Sequence, residues 1–374
     1  MPQPAHARGP FRADQVGSLL RPDRLIARRN EFGAGLISAE ALRNTEDECI
    51  REAVTWQESI GLQGISDGEF RRESFTHDFI NKIAGVEFQR IPEAETGTGA
   101  QRKRPPFRAL VSGPMARPQE GIEVANFAFL HGLTRRTAKL CIPSPTMLHF
   151  RGGRAAISRE AYPDMDDFFQ DLAALFNAEV LALADAGCRY LQFDDTNLAY
   201  LCDPNMRAGV QELGEDPDAL LQTYIKLIND AIAGRPADVA ITLHLCRGNA
   251  FSAGFAQGGY EAVAERLFQQ TRVDGFFLEY DDARSGDFSP LRFVPRGQKI
   301  VLGLISSKNP DMEDKEQIKR RIDAAARHIP LDQLCLSPQC GFSSSTHGAN
   351  KISIDVEKAK LALVCEIATE VWGE

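Results

Sequence analysis

The sequence predicts an α/β fold, a (β/α)8 TIM barrel with a β-rich insertion in its N-terminal half. From about residue 165 onward, amphipathic helical stretches alternate with short β-rich runs, as expected for a parallel sheet buried by helices. Polar residues follow the C-terminal ends of many of these strands, where barrel enzymes build their sites. A doubly wound sheet also fits the alternation, but no glycine-rich phosphate loop follows the first strand. The barrel is therefore the favoured architecture.

The first 160 residues are less regular. The stretch "AEALRNTEDECIREAVTWQESIG" predicts a helix, and "GISDGEF" reads as the end of a strand followed by a loop. Between about residues 84 and 140, short alternating runs are interrupted by Gly and Pro, which predicts a β insertion laid over the barrel. No linker separates two domains. We therefore expect a single elaborated barrel over residues 1–374.

The rest of the chain predicts helices and strands in alternation. Apolar residues at helical spacing predict helices over residues 165–187, 216–234, 258–270, 312–329 and 355–373. Short apolar and β-branched runs predict strands over residues 188–195, 239–246, 275–282, 299–306 and 333–338. In a barrel, the carboxyl ends of these strands meet at one rim, so residues far apart in sequence come together there.

Composition excludes several classes of protein. The formal net charge of -9 argues against a nucleic-acid partner, because such partners are held mainly by clustered Lys and Arg. No apolar stretch approaches the roughly 18 residues that would cross a membrane, and the N-terminus lacks the apolar segment of a secretory signal. Eight cysteines are scattered along the chain, unlike a small disulfide framework, so most are expected to be reduced. We expect a cytoplasmic protein.

A candidate metal site lies at the ends of three predicted strands. His244 and Cys246 are two residues apart and therefore project to the same side of their strand. This pair alone is a weak sign, because a packed cysteine beside a hydrogen-bonded histidine gives the same pattern. Glu279 ends the next strand and Cys340 follows a later one. Thiolate sulfur combined with imidazole nitrogen selects zinc, so the four residues together predict a zinc site.

The sequence resembles the catalytic half of cobalamin-independent methionine synthase and the shorter single-barrel proteins related to it. The resemblance runs from end to end of the chain and is carried, in the family's order, by "QVGSLLRP", "ISDGEF", "LQFDDTN", "HLCRGN", "FLEYDD", "LGLISSKNP" and "LSPQCGF". It implies that His244, Cys246, Glu279 and Cys340 bind Zn²⁺. A closed structural zinc site, which usually has four protein ligands, remains the alternative.

The resemblance also implies a function in methionine biosynthesis. Zinc would activate the thiol of homocysteine, which would accept a methyl group from a methyl-folate or a methylated corrinoid protein. Glu69 and Asp194 match acidic positions that hold the substrate ammonium group, with Asp194 also a catalytic candidate, and Ser18 matches the position that meets the carboxylate. His77 follows Glu69 closely and is a further pocket candidate. A helix cap, a solvated turn, a tight turn and a loop histidine are the plain alternatives for these residues.

The sequence departs from the family at one catalytic position. Lys308 stands near the place of a histidine thought to assist proton transfer, and an ammonium can do so only if burial lowers its pKa. Trp56 and Trp372 both fall in predicted helices, so no tryptophan platform for a pterin is evident. The methyl donor therefore stays open. Alternatives are alkyl transfer to another thiol, as in an epoxide:coenzyme M transferase, and a non-catalytic zinc- and thiol-binding protein. The sequence leaves the oligomeric state open, a homo-oligomer included.

Overall fold

A computed structural model describes residues 8–90, 107–250, 253–343 and 350–373. The strands of the described chain are β1 (Gly64–Ile65), β2 (Ala84–Arg90), β3 (Phe107–Ala116), β4 (Thr137–Pro143), β5 (Tyr190–Asp195), β6 (Ala240–Leu245), β7 (Asn249–Ala250), β8 (Ala253–Gly254), β9 (Gly275–Glu279), β10 (Lys299–Ile305) and β11 (Leu334–Pro338). The helices are α1 (Asp23–Gly33), α2 (Ala39–Ser59), α3 (His77–Ile80), α4 (Val124–Leu133), α5 (Met165–Asp185), α6 (Asn197–Tyr200), α7 (Pro204–Glu212), α8 (Pro217–Ala231), α9 (Glu261–Gln270), α10 (Lys315–Ala325) and α11 (Ile354–Trp372).

Within these ranges, seven strands form one curled parallel sheet in the order β1-β4-β5-β6-β9-β10-β11. Every residue of β5, β6 and β9 is buried, because helices cover the outside of the sheet and side chains fill its inside. The predicted (β/α)8 barrel is therefore confirmed as the fold class. The helices and strands predicted after residue 165 are present, with boundaries that differ by a few residues.

The N-terminal segment 12–16 lies in the position of the eighth strand. Ala13 forms a parallel bridge with Leu336 of β11, and the backbone N–H of Asp14 donates to the Leu336 carbonyl at 2.9 Å. On the other side, the Gln15 side chain donates to the carbonyl of Gly64 in β1 at 3.2 Å. The segment thus bridges the first and last strands of the curled sheet.

A buried ion pair holds this segment against the inside of the barrel. The ammonium of Lys139, on β4, lies 3.1 Å from the Asp14 carboxylate, and both side chains are fully buried. The Tyr190 hydroxyl donates to the other carboxylate oxygen at 2.7 Å, and the Lys139 ammonium lies 4.1 Å from the centre of the Phe277 ring. Because a buried charge without a partner is costly, each of these groups depends on the others.

The irregular N-terminal half contains an antiparallel pair of strands, β2 and β3, with Val86 opposite Val111. Residues 91–106, which the predicted insertion includes, lie outside the described residues. The predicted extent of about 84–140 is too long, because Val124–Leu133 is a helix and Thr137–Pro143 is a barrel strand. The helix was missed because its sequence, "VANFAFLHGL", is apolar at most positions and so shows no helical periodicity. The single-domain organisation stays a prediction.

No helix in the described ranges has the length and apolar character needed to cross a membrane.

Candidate active site

The four predicted metal ligands come together at the carboxyl rim of the barrel. His244 lies in β6, Cys246 directly follows that strand, Glu279 is the last residue of β9, and Cys340 follows β11 by two residues. Their ligand atoms all lie within 4.8 Å of one another. The two sulfurs are 3.4 Å apart. The alternation of side chains along a strand and the parallel arrangement of β6 and β9 account for this convergence.

The chemistry of these four residues fits a zinc ion. Both ring nitrogens of His244 are buried, and neither has a hydrogen-bond partner in the described part of the chain. Hydrogen bonding from Cys246, helped by His244, lowers the pKa of Cys340 to about 6 although burial opposes this. The neighbouring Cys340 and burial raise the pKa of Cys246 well above its ordinary value. Two thiols this close share one proton, and a cation bound by both sulfurs and the imidazole would replace it.

Glu279 is the most enclosed of the four side chains and is held at both oxygens. The backbone N–H of Arg247 donates to Oε1 at 2.8 Å, and the ammonium of Lys308 lies 3.5 Å from Oε2. Lys308 also lies 3.9 Å from the carboxylate of Asp281. Burial alone would lower the pKa of Lys308, but the nearby carboxylates outweigh it and raise that pKa. A proton relay through Lys308 needs the opposite shift, so its catalytic role stays a prediction without support from this geometry.

Two residues that the sequence analysis missed join the ends of β6 and β9. The guanidinium of Arg247 is fully buried and lies 4.4 Å from the centre of the Tyr260 ring. The Tyr260 hydroxyl accepts a hydrogen bond from the backbone N–H of Glu279 at 2.9 Å. The sequence contains a signal for Arg247, because an arginine directly after Cys246 in an apolar stretch must either bury its charge with a partner or turn towards solvent.

A second cluster lies beside the first. Oxygens of Glu69 and Asp194 and the sulfur of Cys141 lie within 4.8 Å of one another, and all three residues are buried. Asp194, on β5, is the register partner of His244 on β6, so the two clusters occupy neighbouring strands. The Gln192 side chain donates to the Asp194 carboxylate at 2.7 Å. The structure thus brings together the two predicted ammonium-binding residues and adds a cysteine, Cys141, that the sequence analysis did not single out.

The backbone of Glu69 has an unusual conformation. Its φ of 57° makes it the non-glycine residue with a left-handed backbone in the described chain. The carboxylate of Asp67 accepts its N–H at 2.9 Å, and the guanidinium of Arg21 donates to its carbonyl at 2.7 Å. Such strain persists only where the surroundings fix it and is common at functional sites. Here it turns the carboxyl group towards Asp194.

The two carboxyl groups of this cluster are poorly compensated. Burial raises the pKa of Glu69 to about 7; the Arg72 guanidinium opposes this, while Asp194 adds to it. Burial also raises the pKa of Asp194. The shortest distance between the Arg72 guanidinium and the Glu69 carboxylate is 3.9 Å, longer than a close charge-assisted hydrogen bond. A bound ammonium would therefore stabilise the ionised form of both carboxyl groups.

Ser18 connects the two clusters. A Cβ atom on Gly341, next to Cys340, would lie 2.0 Å from the Ser18 hydroxyl. The backbone at position 341 is therefore so close to Ser18 that only glycine fits there. The backbone N–H of Phe342 donates to the Ser18 carbonyl at 3.0 Å. Just before Ser18, a Cβ atom on Gly17 would lie 2.3 Å from the Cys141 sulfur. The predicted carboxylate-binding residue thus lies between Cys340, a predicted ligand, and the acidic cluster.

His77, the remaining predicted pocket residue, lines a different cavity. Its ring packs against Phe88 of the β2–β3 pair at 4.2 Å between ring centres. Thr76, Met147 and Arg151 also line this cavity. Burial and the Arg151 charge lower the pKa of His77, which favours its neutral form. Its role in binding substrate stays a prediction.

Known proteins are similar in sequence to most of this chain. Residues 11–360 match the family model described as the cobalamin-independent synthase catalytic domain. The chain belongs to this family. It is 45% identical over 371 residues to the uncharacterised Bacillus subtilis protein YxjH, covering 98% of this chain and 96% of that protein. It is 26% identical over 329 residues to a methionine synthase of Pyrococcus abyssi, covering 87% and 85% of the two chains.

A crystal structure supports the same assignment. The structure comes from Listeria monocytogenes and belongs to a protein assigned provisionally as a vitamin-B12 independent methionine synthase. It superposes with a TM-score of 0.78 at 37% identity and covers 99% of this chain and 100% of that chain. The resemblance expected from the sequence motifs is confirmed.

Proposed function

We propose that this protein is a zinc-dependent S-methyltransferase that moves a methyl group to the thiol of homocysteine. The observation that carries the proposal is the adjacency of the two clusters through Asp194 and His244, which are register partners on neighbouring strands. One cluster has the sulfur and nitrogen donors that suit zinc, and the other has the carboxyl groups that suit an ammonium. A small amino acid thiol has both complementary groups on one short molecule.

The residues of the acidic cluster would orient the amino acid. Glu69 and Asp194 accept hydrogen bonds from the ammonium group, and the Ser18 hydroxyl donates to the carboxylate. Because Ser18 lies beside Gly341, which directly follows Cys340, a carboxylate held by Ser18 would lie close to the predicted metal ligands. Binding at the amino acid end thus selects where the thiol lies.

The metal ligands would then hold the sulfur in reactive form. Zinc, when bound, holds a thiol as the thiolate at neutral pH. His244, Cys246 and Cys340 would hold the ion, and Glu279, the hardest ligand of the set, would be the one replaced by the substrate sulfur. The thiolate attacks the methyl carbon of the donor, a sulfur–carbon bond forms, and the donor retains the electron pair of the bond that breaks.

The donor is a methyl-folate or a methylated corrinoid protein, and one assay distinguishes them. Purified protein with measured zinc content is incubated with homocysteine and either methyltetrahydrofolate or a methylcobalamin-bearing protein, and methionine is quantified. Methionine formation with one donor is the expected result. If zinc and homocysteine bind but neither donor gives methionine, the protein is a non-catalytic zinc- and thiol-binding member of the family.

An acceptor other than homocysteine is disfavoured by charge. A sulfonate thiol such as coenzyme M carries no ammonium, and the carboxyl groups of Glu69 and Asp194 would repel its anionic end. Competition for binding between homocysteine and coenzyme M tests this directly. The eight cysteines are all free, which suits a reducing compartment, and we propose the cytoplasm.

A further inference from the structure

Lys308 is the nearest cation to the most enclosed metal ligand. Its ammonium lies 3.5 Å from Glu279 Oε2, and its side chain is only 10% exposed. The Glu279 carboxylate is fully buried and has one other hydrogen bond, from the backbone N–H of Arg247 to Oε1. The position of Lys308 therefore bears on what happens to this carboxylate if it leaves the metal.

A carboxylate released inside the barrel needs a positive partner. An ionised group taken out of water costs several kcal/mol unless a charge and hydrogen bonds compensate it. The guanidinium of Arg247 is stacked on Tyr260, and none of its nitrogens hydrogen-bonds to another described residue, Glu279 included. Among the described residues, Lys308 is the side chain whose charge faces Oε2 of Glu279.

We propose that Lys308 is a positioning residue that receives the Glu279 carboxylate when the substrate thiol takes its place among the metal ligands. This inference rests on the function proposed above. Lys308 touches neither substrate nor donor in this role and transfers no proton. Lys308 makes ligand exchange possible because the Glu279 carboxylate passes from the metal into an ion pair and is never buried without a cation beside it.

Asp281 supplies the control for a purely structural role. Lys308 lies 3.9 Å from Asp281 as well, a contact that would also serve to hold together the loops after β9 and β10. Removing Asp281 as Asp281→Asn breaks that second contact and leaves Glu279 with its cation. A loop-holding role would make Asp281→Asn resemble a lysine variant, whereas a role in ligand exchange would not.

The test is X-ray absorption at the zinc edge, with and without homocysteine, on the wild type and on Lys308→Met, Lys308→Arg and Asp281→Asn. Zinc content is measured first in each protein. Homocysteine adds one sulfur to the zinc shell of the wild type, of Lys308→Arg and of Asp281→Asn. In Lys308→Met, zinc remains bound, but the added sulfur is lost at the concentration that saturates the wild type.

Affinity gives a second readout that does not depend on turnover. In cobalt-substituted protein, the absorption band of a new thiolate ligand follows homocysteine binding. Lys308→Met lowers the affinity for homocysteine by about tenfold to a hundredfold, which corresponds to about 1.4–2.8 kcal/mol of binding free energy. Lys308→Arg restores most of the affinity because it retains the charge.

The outcomes separate this proposal from the function on which it rests. If Lys308→Met gains the third sulfur with wild-type affinity, the role of Lys308 is refuted while the function stands. The role of Lys308 is refuted in the same manner if Asp281→Asn loses the added sulfur as Lys308→Met does. If the wild type itself gains no sulfur from homocysteine, the proposed function fails first.

Discussion

The affinity for methionine should rise with pH through neutrality, because its ammonium group needs the ionised form of Glu69. Burial and the neighbouring Asp194 raise the pKa of Glu69 to about 7 in the free protein. Methionine suits this measurement better than homocysteine, because it has no thiol that titrates or binds the metal as an anion. Its ammonium group stays charged throughout the range.

The magnitude follows from the fraction of carboxylate that is ready to bind. A group with a pKa of about 7 is roughly one tenth ionised at about pH 6 and roughly nine tenths ionised at about pH 8. Apparent affinity scales with the competent fraction, so the Kd for methionine should fall about tenfold over that range. The sign is fixed by competition: a proton on Glu69 opposes the ammonium, and ligand binding releases that proton at low pH. From about pH 8 up to the pKa of the methionine amino group, the affinity should become constant.

Isothermal titration calorimetry across this range, in buffers that differ in ionisation enthalpy, measures both the affinity and the protons released. The matched variant is Glu69→Gln, which retains the shape of the side chain and removes its titration. It should bind methionine more weakly and without pH dependence over the same range. A flat wild-type profile with no proton release would refute the reasoning, as would a slope that survives in Glu69→Gln.

Three further predictions concern neighbouring residues. Asp194→Asn should weaken methionine binding, whereas Asp195→Asn, on the opposite face of the strand, should leave binding unchanged. Asp195→Asn should instead lower the thermal midpoint, because Asp195 accepts the Leu198 N–H at the start of α6. Equal losses of binding in calorimetry would contradict this. Cys340→Ser should reduce the zinc content of the purified protein while Cys335→Ser retains it, as elemental analysis would show, and equal zinc content in both would remove Cys340 from the ligand set. Lys139→Met should lower the free energy of unfolding by about 3–5 kcal/mol in urea titrations, because it leaves the buried Asp14 carboxylate without its cation. A loss below about 1 kcal/mol would show that the ion pair is dispensable.

Much of the barrel could be predicted from local patterns. Helix α5 and strand β6 have apolar residues at clear periods, so their sequences alone indicate their type. The segment at Ala13 could not be recognised as part of the barrel wall, because it forms one isolated bridge and its position depends on a partner at the far end of the chain. Its place is set by tertiary contacts that leave no local periodicity.

The candidate site divides in the same way. The four predicted metal ligands could be selected because strand ends in a parallel barrel meet at one rim, and the structure brings their ligand atoms together. Cys141 could not be selected, because its strand overlaps the end of the stretch predicted as an insertion and nothing local distinguishes a core cysteine from one facing a site. The raised pKa of Lys308 could not be predicted from the sequence either, since it depends on the carboxylates that the fold places around it.

The way the first residues complete the barrel wall has a consequence for the order of assembly. Arg12 bonds to the carbonyl of Leu334, 322 residues later in the chain. During synthesis the segment around Arg12 leaves the ribosome well before Leu334, because 322 residues separate them. Closure of the wall must therefore wait until β11 has been translated, a long-range step of the kind that makes folding slow. Ser18 lies a few residues beyond the segment, so we expect the proposed amino acid pocket to form only when the wall closes.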